Sequence, residues 1–141
     1  MFQREVVERI KAEPGNKERG FLTVLVEAYL QAEKLFDVPP TAFRPVPKVW
    51  SSVIRFQPKQ KSEIINEELF REIISAGFRQ KRKTLFNNLK NAPEFVYKTS
   101  EIKENPALML EKLEISPNRR AETLTLEEWI KLANFLNKIN D

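Results

Sequence analysis

The apolar positions of the chain change period near its middle. In "EVVERIKAEPG", Val6, Val7 and Ile10 recur at helical spacing and the Pro14-Gly15 pair ends the segment, predicting a short amphipathic helix. A second helix is predicted through "GFLTVLVEAYLQ", with Phe21, Val24, Leu25, Ala28 and Tyr29 on its inner face. The pattern then becomes extended. "EKLFDV" predicts a short strand ending before Pro39-Pro40. "KVWSSVIRF" sets Val49, Ser51, Val53 and Arg55 against Trp50, Ser52, Ile54 and Phe56 with a period of two. These strands and the Pro-rich loop between them predict a long hairpin at a sheet edge.

Beyond "QPKQKSEIINEE" the period returns to helical. Leu69, Phe70, Ile73, Ile74 and Phe78 share one face of "EELFREIISAGF", and "FRQKRKTLFNNLK" continues it with Leu85, Phe86 and Leu89. "NAPEFVYKTSEIKENP" is aperiodic and reads as a loop, and "ALMLEKLEI" as a short helix. Thr125 and Glu128 form a capping-box signature ahead of a last helix that buries Trp129, Leu132, Ala133 and Leu136. The expected architecture is an α/β fragment over 1–60, two helices and a β-hairpin, followed by an all-α piece over 61–141. Two strands are too few for an independent sheet, so the first piece reads as the end of something larger.

Composition narrows the chemistry. At 41% hydrophobic and 31% charged residues the chain is globular rather than disordered. Histidine and cysteine are both absent, which excludes a disulfide framework, a zinc cluster, a thiolate nucleophile and a histidine base. Nothing resembles a signal peptide or a membrane span, and cytoplasmic localisation is expected. The net charge of +4 is modest, but its placement is not even. From 38 to 62 the chain carries Arg44, Lys48, Arg55, Lys59 and Lys61 with no acid. From 78 to 93 it carries Arg79, Lys81, Arg82, Lys83 and Lys90, again with no acid. Two such runs suit a polyanion, or else form two solvated faces.

Three stretches are candidates for contact. With "FRQKRKTLFNNLK" taken as helical, Arg79, Arg82 and Lys83 lie within one turn, where they meet phosphates or simply face water; Asn87 or Asn88 would reach a ribose or a base edge. In "NRRAETLTLEEW", Asn118, Arg119 and Arg120 contact phosphate, or the arginines pair with Glu114 or Glu122. In "AFRPVPKVWSSVIRF" the prolines stiffen a loop that either presents Phe43 for base stacking or uses it to plug a gap in the core. On the residues alone the plug is favoured.

The segments "FQREVVERIKAEPGNKERGFLTVLV", "VPPTAFRPVPKVWSSVIRF", "FRQKRKTLFNNL" and "ISPNRRAETLTLEEWIKLANFL" stand in the order and spacing of ribosomal RNA adenine dimethyltransferases. The chain resembles that family, which is related to the Erm resistance methylases and mitochondrial transcription factor B, over nearly its whole length. The exceptions are about 57–66 and 95–105. The resemblance implies the end of a Rossmann-like, S-adenosylmethionine-dependent methyltransferase domain followed by a helical RNA-binding domain. It implies dimethylation at N6 of two adjacent adenines near the 3′ end of small-subunit (16S) ribosomal RNA. A target adenine must leave its stack to be reached.

By that resemblance Phe43 packs on the target adenine, a match carried by Phe43, Pro45, Pro47, Lys48, Val49 and Ser51. Trp50 departs from the small or acidic residue usual at its position. The family's Gly-x-Gly cofactor turn is missing, since Gly15, Gly20 and Gly77 stand apart, and so is its Asn-x-Pro-Tyr motif. Both are expected upstream of Met1, so the chain is expected to match the C-terminal half, with no S-adenosylmethionine bound and no activity alone. RNA contact is expected from Lys48, Arg55, Arg79, Lys81, Arg82, Lys83, Asn87, Asn88, Lys90, Arg119 and Arg120. The expected partner is small-subunit ribosomal RNA or the immature small subunit. The alternatives are a stand-alone RNA-binding or ribosome-assembly module, and an interaction domain dimerising through open strand edges.

Overall fold

The computed structural model describes residues 1–60, 63–98 and 100–141. The chain divides into two compact units, Met1–Ser62 and Glu63–Asp141.

In the first unit, β1 (Phe2–Gln3) runs into α1 (Arg4–Ile10), which is followed by α2 (Phe21–Tyr29), β2 (Leu30–Val38) and β3 (Ser51–Pro58). The sheet order is β1-β3-β2, with both pairings antiparallel. The expected hairpin is present, from Leu30 opposite Pro58 to Val38 opposite Ser51. Its placement differs from expectation: β1 pairs with β3 at Phe2 and Gln3, so β3 is the middle strand. A two-residue strand leaves no alternation in a sequence. β3 also begins later than its pattern suggested, with Lys48, Val49 and Trp50 still in the loop.

Val7, Ile10, Val24 and Ala28 form the small core of this unit. Buried Thr23 joins its two helices: its hydroxyl donates to Arg9 O at 2.6 Å and accepts from the Gly20 N–H at 3.0 Å. Arg19, also buried, donates to Ala12 O and Glu27, tying the connecting loop to α2. Phe21, expected on the inner face of α2, is exposed instead, and Thr23 takes the inward position because both of its hydrogen bonds are made inside.

In the second unit, α3 (Glu67–Gly77), α4 (Leu85–Lys90), α5 (Ser100–Glu104), α6 (Ala107–Lys112) and α7 (Leu126–Asn140) enclose the larger core. Phe70, Ile73, Ile74, Leu85, Leu89, Met109, Leu110, Trp129, Leu132 and Leu136 are wholly buried. The capping box opens α7 as its sequence indicated, the Thr125 hydroxyl accepting from the Glu128 N–H and the Glu128 carboxylate from the Thr125 N–H. Two expectations are corrected. The segment 94–104, expected as a loop, contains a 3-10 turn at Glu94–Val96 and α5, and inserts Val96 and Tyr97 into the core. The expected helix through "FRQKRK" is absent, because α3 ends at Gly77 and residues 79–83 form a turn before α4.

Candidate nucleic-acid interface

The turn at 79–83 is built from both ends. A Cβ on Gly77 would stand 2.5 Å from Trp129 Cη2, so glycine alone lets the end of α3 lie against that ring. Phe78 follows and stacks on Trp129 at 5.4 Å between centroids. Just beyond the helix end the chain is held by a side chain from α4: Asn88 Nδ2 donates to Gly77 O at 2.9 Å and to Gln80 O at 3.0 Å. In a continuing helix these carbonyls would serve the N–H groups of residues 81 and 84. The Asn88 Oδ1 accepts from the Gln80 N–H at 3.1 Å. Asn88 is thus buried and fully engaged, which corrects its assignment as an RNA contact.

From this turn Arg79, Lys81, Arg82 and Lys83 extend into solvent. Thr84 then caps α4, accepting from the Asn87 N–H. The start of α4 is also held by the loop at 117–119: the Leu85 N–H donates to Arg119 O at 2.7 Å and the Phe86 N–H to Pro117 O at 3.2 Å. The two basic stretches, some thirty-five residues apart in sequence, therefore meet here, and Asn118 and Arg120 lie exposed beside the first turn of α4. Asn87 and Lys90 are exposed on the same short helix, the Lys90 ammonium 5.9 Å from the centre of the Phe86 ring.

Arg119 is not a free cation. Its Nη2 donates to Glu128 Oε1 at 3.0 Å and to Thr123 O at 2.7 Å, its Nε to Thr123 Oγ1 at 3.2 Å, and its Nη1 to the second Glu128 oxygen. Arginine pairing was expected with Glu114 or Glu122; Glu128 takes that place because the capping box already aims its carboxylate there. Partial burial raises the Glu128 pKa, but the Arg119 and Thr125 bonds and the Arg119 charge outweigh it and hold the carboxyl below its ordinary value. Among the described residues, no carboxylate comes within ion-pair distance of Arg79, Lys81, Arg82, Lys83 or Arg120.

The basic run of the first unit fares differently. Arg55, expected as an RNA contact, is paired across the hairpin with Glu33, its register partner on β2. Both side chains are exposed, where such a pair is worth about 0–1 kcal/mol. Lys59 donates to Glu27 O. Lys61 lies outside the described residues. Within this acid-free run, Arg55 alone among the described residues gains an acidic partner, from the neighbouring strand.

Phe43 follows the 3-10 turn Pro40–Ala42, its N–H donating to Pro40 O, and is half-buried. The same loop exposes Val46, Lys48, Val49 and Trp50. Trp50 is oriented by Arg4, whose N–H donates to Trp50 O at 2.9 Å and whose guanidinium lies 5.2 Å from the ring centre. At the foot of the loop the Ser52 hydroxyl donates to Asp37 Oδ1 at 2.5 Å, the leading cause of that carboxyl's lowered pKa. Sequence reasoning missed Arg4 and Asp37, which lie outside the Pro-rich loop. Among the described residues, no cluster of acidic, histidine or cysteine side chains could hold a metal, and no helix is long and apolar enough to cross a membrane.

The family model for ribosomal RNA adenine dimethylase matches residues 1–138. The chain belongs to this family. The ribosomal RNA small subunit methyltransferase A of Bacillus cytotoxicus is 43% identical to it over 138 residues, covering 96% of this chain and 46% of that protein. Its counterpart in Bacillus mycoides is 41% identical over the same span. The chain thus spans about half the length of the curated relatives it matches. Among solved structures, a dimethyladenosine transferase from Plasmodium falciparum superposes with a TM-score of 0.81 at 26% identity, over 97% of this chain and 55% of that one. The 23S rRNA methyltransferase ErmE superposes at 0.58 with 18% identity over 96% of this chain and 52% of its own, a likeness of fold.

Proposed function

We propose that this chain is the C-terminal portion of an S-adenosylmethionine-dependent enzyme that dimethylates N6 of two adjacent adenines near the 3′ end of small-subunit ribosomal RNA. In this reading Met1–Ser62 ends the catalytic domain and carries Phe43 on one wall of the adenine pocket. Glu63–Asp141 docks the RNA through Arg79, Lys81, Arg82, Lys83, Lys90 and Arg120, with Asn87 alongside and Lys48 adding charge in the first unit. The observation that carries the reading is the collinear match of 138 residues to 46% of a small-subunit rRNA methyltransferase.

The chain's own residues do not fit S-adenosylmethionine. The family's cofactor turn needs neighbouring glycines so that bare backbone can approach the ligand. Here Gly15 and Gly20 stand apart in the α1–α2 loop and Gly77 faces Trp129. The 141-residue chain is therefore expected to bind RNA without transferring methyl groups. A phosphate-led interface predicts affinity that falls linearly with salt on logarithmic axes, with a slope of about −0.7 to −0.9 per phosphate neutralised.

The test is to mix the purified chain, S-adenosylmethionine and unmethylated small subunits, then measure dimethyladenosine and binding separately. Binding without methylation is expected; robust methyl transfer would overturn the division of labour. Salt-independent binding, unchanged in a Lys81→Ala, Arg82→Ala, Lys83→Ala variant, would remove the RNA-docking role. Self-pairing through the terminal strands β1 or β2 is a separate property, visible as a dimer mass in light scattering.

A further inference from the structure

We infer that Asn88 is a positioning residue for RNA binding: it touches no RNA, but holds in one conformation the backbone from which Arg79, Lys81, Arg82 and Lys83 project. The inference rests on the reading of that turn as an RNA-docking surface.

Its basis is the hydrogen-bond inventory of one side chain. A carboxamide has two donor hydrogens and one acceptor oxygen. Those of Asn88 are spent on Gly77 O, Gln80 O and the Gln80 N–H, at 2.9, 3.0 and 3.1 Å, while the residue is only 4% exposed. The turn's own backbone contributes Arg79 N–H to Ala76 O and Lys83 N–H to Gln80 O, at 3.3 and 3.1 Å. Asn88 thus supplies bonds that span the segment between the end of α3 and the cations. It acts from α4, whose first turn is fixed by Thr84 and by Pro117 O and Arg119 O. The clip therefore joins the turn to the element that also carries the 117–120 loop.

No regular element orders residues 79–83, and their four cations must meet several phosphates at once. A backbone already fixed before binding lowers the ordering cost of that encounter. Without the clip, Gly77 O and the Gln80 peptide lose partners, the turn opens, and fewer of the four charges register with phosphates together. Aspartate lacks the donors, and glutamine would carry the same groups one carbon further from the α4 backbone.

Because Asn88 is uncharged, the test can separate positioning from direct contact and from general destabilisation. Losing a direct amide contact lowers affinity equally at all salt concentrations. Losing the registration of cations reduces the salt slope itself. We expect Asn88→Ala in the full chain to bind a transcribed hairpin of the small-subunit rRNA 3′ region about tenfold more weakly at 0.1 M salt. Its slope should be shallower by about 1–2. Ser75→Ala, at an exposed uncharged position on α3 outside the docking surface, should leave both affinity and slope unchanged.

An Arg79, Lys81, Arg82, Lys83 quadruple-alanine variant runs in parallel. If it binds like the unaltered chain, the docking reading fails and takes the inference with it. If it loses binding while a folded Asn88→Ala keeps both affinity and slope, the inference alone is overturned. Should Asn88→Ala melt near the assay temperature, Asn88→Ser, retaining a donor and an acceptor, is judged by the same slope. Amide hydrogen exchange at Gln80 in the unaltered protein gives an independent reading. Protection supports the clip, and exchange at the unprotected rate refutes it.

Discussion

At Gly77 the absence of a side chain is the structural requirement. A methyl group there would meet Trp129 Cη2 at 2.5 Å and Cζ3 at 3.0 Å, and Leu85 Cδ1 closes the site at 3.4 Å. Phe78 stacks on the same indole, which is fully buried, so moving the ring would disturb core packing. Gly77→Ala should therefore cost about 1–3 kcal/mol as an overpacked core, read from the urea midpoint of the second unit, despite alanine's better helix propensity. Glu128 gives a pH-dependent counterpart. Its folded pKa is depressed below the ordinary 4.5, so its contribution is present above the unfolded pKa and is lost as pH falls through the folded one. Glu128→Gln should destabilise the chain at pH 7, and the difference from the unaltered protein should shrink as urea midpoints are followed down through the acid range. The Thr125/Glu128 box was legible because its partners lie three residues apart. The Arg119–Glu128 pair was not, since nine residues and a 3-10 turn separate them.

Elements with a long, regular apolar period were the ones a sequence could announce. α1 and α7 lie where periodicity put them, α2 ends at Tyr29 because Leu30 and Gln31, expected in that helix, open β2, and β3 follows its alternation from Ser51. The failures have particular causes. α3 was extended through "FRQKRK" because Phe78, Leu85, Phe86 and Leu89 keep a helical spacing across a gap that Asn88 closes from eight residues beyond Gln80. Residues 94–104 looked polar because the apolar run Phe95–Val96–Tyr97 is too short to set a period and is flanked by Glu94 and Lys98, yet the Tyr97 hydroxyl donates to Leu89 O inside the core. The sheet carries a dynamic consequence. Among the described residues β2 pairs with β3 along one side only, and its exposed Leu35 and Phe36 lie at an irregular register between Lys34 and Phe36. Hydrogen exchange should show β2 amides that do not face β3 exchanging quickly, while the inner turns of α3 and α7 are protected. Uniform protection across β2 would contradict an edge position.

Over the whole molecule, net charge is a poor guide to where a polyanion would lie. Both basic runs are free of acids in sequence, and a linear reading weighs them alike. Folding separates them. In the first unit an antiparallel partner sets Glu33 opposite Arg55, and Glu27 O takes the Lys59 ammonium. In the second, the turn at 79–83 projects away from regular structure, and Glu128, the carboxylate of the neighbouring cap, is occupied by Arg119. A cation already paired must give up its partner to meet a phosphate, so its net gain is smaller than that of an unpaired one. The contrast can be measured with two variants on one RNA hairpin. Lys81→Ala, Arg82→Ala, Lys83→Ala should flatten the salt slope by about 2–3, as three lost phosphate contacts require. Arg55→Ala with Lys59→Ala removes two charges and should change the slope by less than about 1. Equal slope changes per charge removed would mean that linear charge density, rather than the pairing made by the fold, governs the interaction.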